Sequence, residues 1–174
     1  ETQTARRPST RTLDALSAHA VRGNGIAAPR AGGALLPYPK LLEAAHALGH
    51  ISVAVDRDSG VRRVPLIVRY EGRLYPALAL VLASLAQDHG ELPVAEPASG
   101  GMALVWPDGR RLEVPVDDEG ATAIDFAGDR DAFANTYSLL EELGWARDGD
   151  RERLRRAFAG QDVMIGSTAL ADAP

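Results

Sequence analysis

The 174-residue chain has no cysteine, which excludes thiolate zinc sites, iron–sulfur clusters, thiol catalysis and any disulfide framework. Lysine is nearly absent: Lys40 stands alone among 19 basic residues, and 24 acidic residues bring the net charge to −5. That balance argues against binding nucleic acid by blanket phosphate neutralisation, which needs a surplus of cations. Aromatic residues are few, with three Phe and two Trp, and Ala, Leu and Val dominate the 45% hydrophobic content. A core of small aliphatic side chains with close helix-to-sheet packing is therefore expected. No apolar run reaches the 18 or more residues of a membrane-spanning helix, and no basic and apolar leader opens the chain. The four histidines, His19, His46, His50 and His89, show no ligand spacing and no acidic partner, so a zinc site or a catalytic triad has no support. Nucleophile-elbow, Walker and dinucleotide-binding patterns are missing as well. Neither a metal nor a cofactor is expected.

What is present fits one domain of this length. Residues 1 to 36 are poorly patterned, apart from a short helix over Leu13 to Ala20, and the organised domain is expected over 37 to 174. From Pro39, KLLEAAHALG has helical spacing with Gly49 as its stop. Ile51 to Val55 and Val61 to Tyr70 read as strands, Glu71-Gly72-Arg73 as a reversal, and ALALVLASLAQ as a helix largely buried against a sheet. Residues 90 to 101 read as a loop. Asp108-Gly109 marks a hairpin between MALVW and RLEVPV, Asp117 to Gly120 an acidic turn, and ATAIDFAG a strand. Ser138 with Glu141 fits a capping box, a second helix runs from about Asp150 to Gly160, and DVMIG is a terminal strand. The fold class is α/β: a mixed sheet with a parallel part near residues 51, 122 and 163, antiparallel hairpins at its side, and flanking helices.

Two segments could carry chemistry. Asp56, Asp58 and Gly60 alternate as in a calcium loop, but Arg62 and Arg63 follow where further acidic ligands would stand. The plainer reading is a turn capped by carboxylates and neutralised by guanidinium groups, with Asp125 as another available acidic partner. Being adjacent in a strand, Arg62 and Arg63 should point to opposite faces, leaving one of them as an anion anchor. The second segment, VMIGSTA, puts Ser167 and Thr168 at a strand end, where backbone N–H groups gather ligands, with Asp172 close behind; a tight turn that needs small residues is the plainer reading.

The blocks ALGHISVAVDRDSGVRRVPL, LYPALALVLA, IDFAGDRDAFANTYSLLEEL and MIGSTALADAP, in this order, resemble the type-two CHASE family, the cyclase- and histidine-kinase-associated sensory extracellular domains. The resemblance runs from about Pro37 to Pro174. Family members show a Pro-led helix ending in Gly, a strand, a D-x-D-G-V-x-R-x-x-P-L hairpin, a turn before Tyr-Pro-Ser-x-Ala, an aromatic-x-Gly stretch leading to a Ser-helix, and a terminal I-G-x-T-A strand. The departures are Ser59 inserted before Gly60 and an N-terminal third without the usual strand–helix–strand unit.

The resemblance implies an extracytoplasmic sensory domain, tethered to the membrane through flanking segments and coupled to a cytoplasmic cyclase or kinase output. It carries over no catalytic residue. The expectation is a non-enzymatic, ligand- or stimulus-sensing homodimer whose site, if it lies in these segments, uses Asp56, Asp58, Arg62, Arg63, Ser167, Thr168 and Asp172. Two competing readings are a small hydrolase or transferase using Asp125 or Asp172 with Ser167 or Thr168, and a structural dimerisation domain. The first lacks a dedicated histidine near the hydroxyl groups.

Overall fold

A computed structural model describes residues 8–87, 91–126, 128, 137–161, 163 and 165. The chain divides into two compact units, Glu1–Asp125 and Phe126–Pro174. Helices and three small antiparallel sheets give the mixed α/β class that the sequence indicates.

The first unit is organised around one hairpin, β3 (Ile67–Tyr70) with β4 (Arg73–Pro76). Glu71 and Gly72 connect its strands with φ of 46° and 76°, the paired left-handed angles that match a tight turn to strand twist. Its side chains alternate between two cores. Ile67 and Leu74 join Val21, Ile26, Leu80, Ala95, Met102, Leu104 and Trp106, whereas Val68, Tyr70 and Tyr75 join Leu16 and Leu42. Because both faces are covered, the hairpin is largely apolar, with Arg69 and Arg73 as its charged residues.

Helices supply the second core. In α1 (Thr10–Ser17) the Ser9 hydroxyl caps the N-terminus by accepting from the Thr12 N–H at 3.2 Å, and Leu16 faces inward. Pro39 opens α2 (Pro39–Ala44) and Leu42 is 2% exposed. This helix ends at Ala44, well short of Gly49. A Cβ at Gly49 would strike the backbone of Leu78, so that glycine permits a close chain crossing. In α3 (Leu78–Ala86), Leu80, Val81 and Ser84 are buried while Leu82 and Leu85 are exposed; only one stripe of this apolar helix is covered.

The sheet of β5 (Val94–Ala98), β6 (Gly101–Val105) and β7 (Arg111–Val114) closes the first core. Its β6–β7 turn is the expected Asp-Gly hairpin: Gly109 has φ 86°, and the Arg110 N–H donates to Asp108 Oδ1. β5 lies where a loop is expected. Pro97 lacks an N–H, and the outer position of β5 tolerates that loss.

The remaining sheet contains β1 (Ala54–Val55), β2 (Val61–Pro65) and β8 (Ala121–Ala123). Here the expected long strand from Val61 to Tyr70 is broken. Pro65 cannot donate a ladder bond, and at Leu66 the chain leaves one sheet for another: its N–H goes to Gly120 O and its carbonyl accepts from Ala77 N–H. β8 pairs antiparallel with β2, and among the described residues parallel pairing is confined to three isolated bridges. The expected parallel part near 51, 122 and 163 is thus not formed by the described residues. Ile51 precedes β1, and Val163 and Ile165 lie outside any strand.

In the second unit, α4 (Leu139–Arg147) and α5 (Arg151–Phe158) follow one another through a turn at Gly149, φ 75°. Asp150 Oδ1 caps α5 by accepting from the Arg153 N–H at 3.0 Å. Ser138 holds the N-cap position of α4 without a side-chain cap bond, so the expected capping box is not closed. The Tyr137 ring meets Trp145 and Phe158 edge-on at 5.7 and 5.8 Å, and Arg153 lies 4.3 Å from the Trp145 ring centre.

Candidate functional site

The acidic turn of the β1–β2 hairpin folds as its residue types dictate. The Asp56 N–H donates to Gly60 O, the Ser59 N–H to Asp56 O, and the Gly60 N–H to Asp58 Oδ1 at 3.1 Å. Ser59 sits at φ 64°, so the residue that departs from the family pattern takes up the left-handed angle of the turn. The register opposes Ala54 to Arg63 but Val55 to Val61. Arg62 is therefore the extra residue of a bulge, a device that re-aims side chains.

The bulge corrects the expectation that Arg62 and Arg63 diverge. Both reach Asp56: Arg62 Nη1 donates to Oδ2 and Arg63 Nη2 to Oδ1, each at 2.9 Å. Arg62 also makes two bonds to Asp58, at 2.9 and 2.8 Å. Arg63 bonds Asp117 Oδ2 at 2.8 Å, so the third carboxylate comes from the acidic turn before β8 and is Asp117, not Asp125. Asp117 Oδ1 is itself held by the N–H groups of Ala121 and Glu119.

This network sets the electrostatics. Hydrogen bonds from Arg63 and then Arg62 hold the Asp56 carboxyl below its usual range. Arg62, followed by the Gly60 N–H, lowers Asp58; the Ala121 N–H is the largest cause of the lowering at Asp117. Carboxyl groups lowered in the folded chain add stability above the ordinary carboxylate range and lose it as pH falls through their folded values. Three carboxylates bind both guanidinium groups and compensate much of their charge, while the Nε–H of each makes none of these bonds. Chemically the arrangement is an ion-paired clasp joining two turns. Among the described residues no group of three His, Asp or Glu side chains is placed to hold a metal ion. Ser167, Thr168 and Asp172 lie outside the described residues.

A second feature of the first unit was not visible in the sequence. The end of α1, residues 46–47, α3 and residues 91–93 enclose a cleft of about 290 Å³, at the small end for ligand sites. It brings His19 and His46 together with Arg22, Ser84 and Glu91. Burial, with a smaller contribution from His46, lowers the pKa of His19. Twenty-seven positions separate the two histidines, and no local spacing signals that they meet.

His50 is the other titratable group of note. Its Nδ1 accepts from the Ser52 N–H at 3.2 Å while the buried Nε2 has no hydrogen-bond partner. Burial lowers its pKa to about 4. It is held neutral, as a packing group beside the start of α3.

The model of one family, described as the CHASE2 domain, matches residues 2–173. The match takes in the first 36 residues as well as the four blocks. No curated protein and no solved structure matches the chain.

Proposed function

The chain belongs to the CHASE2 domain family, whose members are extracytoplasmic sensory domains, and from that premise we propose that it is the sensing part of a bacterial transmembrane receptor. In this reading it binds a small molecule or responds to another stimulus outside the cytoplasmic membrane, without transforming it. It acts as a homodimer held to the membrane by flanking segments, and a shift in the relation of its chain ends drives a cytoplasmic cyclase or kinase. The observation that carries the reading is the family match across residues 2–173. The first unit's cleft gives a solute somewhere to act, and a solute can bias two states only through unequal affinity for them. Among the described residues no helix is long and apolar enough to cross a membrane.

The absence of cysteine makes the location directly testable. A Ser99→Cys substitution places one thiol in the exposed β5–β6 turn. In intact cells carrying the full-length receptor, a membrane-impermeant maleimide should give labelling without lysis that the receptor lacking the substitution does not show; substitution-dependent labelling only after lysis would sink the reading. A thermal-shift screen of small acids, amino acids and divalent ions then tests ligand binding by the chain. The acidic-turn residues Asp56, Asp58, Arg62 and Arg63 remain a proposed contact. A ligand shift that disappears in Arg63→Ala supports them, and an unchanged shift removes them.

A further inference from the structure

Resting on the sensory reading, we infer that the cleft beside α1, in place of the acidic turn, is the ligand site, and that it takes a small aliphatic zwitterion: one carboxylate and one ammonium group on a short carbon frame. Size is the first ground, because about 290 Å³ suits a molecule of amino-acid dimensions.

Charge is the second. Arg22 and Glu91 both line the cleft, yet among the described residues neither has an ion-pair partner, in the other or elsewhere. Arg11, Arg62, Arg63, Arg110, Arg111 and Arg156 each lie within 3.1 Å of a carboxylate. Lack of a partner is not special in itself, since Arg30, Arg57, Arg69 and Arg73 have no ion pair among the described residues either; what singles out Arg22 and Glu91 is their place in one cleft. One uncommitted cation and one uncommitted anion in a single cleft complement a ligand carrying both signs. A dianion such as phosphate meets repulsion from Glu91, and a lone amine meets it from Arg22.

The walls narrow the class further. Ala18, Ala20, Val21, Ala47, Leu85 and Leu92 are small or aliphatic, and among the described residues no Phe, Tyr or Trp lines the cleft. Ser84, 2% exposed, spends its hydroxyl proton on Leu80 O at 2.9 Å, leaving its oxygen able to accept. His19 and His46 supply further hydrogen-bonding groups, and with Glu91 they do not form a described metal cluster. Asp88 and His89, which precede Glu91 in sequence, lie outside the described residues.

Titration calorimetry on the 174-residue chain tests the inference, with glycine, alanine, serine and valine as zwitterions. Propionate keeps only the carboxylate, propylamine only the ammonium, and inorganic phosphate and zinc chloride probe the anion and metal alternatives. At least one amino acid should bind at least about tenfold more tightly than propionate and propylamine, since each charge-assisted pair counts separately. Arg22→Ala and Glu91→Gln, both at exposed positions and checked for fold by circular dichroism, should each weaken that binding about tenfold or more. Failure of all four amino acids to bind, a tighter fit for propionate, phosphate or zinc, or binding indifferent to both variants would overturn it. Any of those results leaves the extracytoplasmic reading standing with a different stimulus, whereas failure of the surface-labelling experiment removes that reading whatever the cleft binds.

Discussion

The two units of this chain are held by different physics. In Glu1–Asp125 a hairpin is buried on both faces, and side chains such as Ile67, Ala103 and Met102 are at most 1% exposed. In Phe126–Pro174 neither α4 nor α5 has a buried residue; a cap, edge-on rings and a cation over an indole hold the helices instead. Area removed from water accumulates over many side chains, while caps and ring contacts are worth little singly. Stability should therefore reside in the first unit, and the second should open at lower free energy.

The sharpest way to break this contrast is Leu42→Ala, which hollows the core between α1, α2 and the central hairpin. It should cost about 2–5 kcal/mol in urea unfolding; a loss under about 1 kcal/mol would mean the first unit is not packed as described. Acidification comes next and acts on the same unit. Because the folded pKa of His50 lies below its ordinary value, at about 4, its contribution is complete above about pH 6.5 and is lost as pH falls through about 4. The melting temperature should drop across that window, and His50→Leu should flatten the drop; an unchanged slope removes His50 as the cause.

On the second unit the effects shrink. Asp150→Ala removes the α5 cap and should cost about 1 kcal/mol, visible as faster hydrogen exchange in α5 with none in α3. Arg153→Ala takes the cation from Trp145 and should cost about 0.5–1 kcal/mol, with a change in Trp145 fluorescence as its local signature. If either substitution costs as much as Leu42→Ala, the proposed difference between the units disappears. Smallest is Asp56→Asn in the exposed clasp: a slight fall in melting temperature that vanishes in high salt. A loss that persists in salt would show that the clasp contributes by packing and not by charge.

Local chemistry made part of this molecule legible in advance. The Asp-Gly and Glu-Gly reversals, the Pro-led α2 and the guanidinium-neutralised acidic turn follow from residues a few positions apart, and all four are present. What distant chain segments decide stayed hidden. Pro65 marks a break in VRRVPLIVRY, but that its two halves enter different sheets depends on where Gly120 and Ala77 offer partners to Leu66. VAEPA reads as a loop until a sheet edge exists to accept Pro97. The bulge at Arg62, which makes neighbouring arginines converge, is a property of strand pairing. Asp117 and the His19–His46 pair are likewise products of tertiary closure.

Leu66 has a consequence for how the molecule could yield under load. Two sheets share a single residue of continuous backbone there, and its two peptide groups are clipped to segments from both. A pull transmitted along β2 would be passed to β3 with almost no slack, so the Leu66 and Ala77 amides form a built-in strain gauge: matched protection means the sheets part in one event, and unequal protection reveals a hinge.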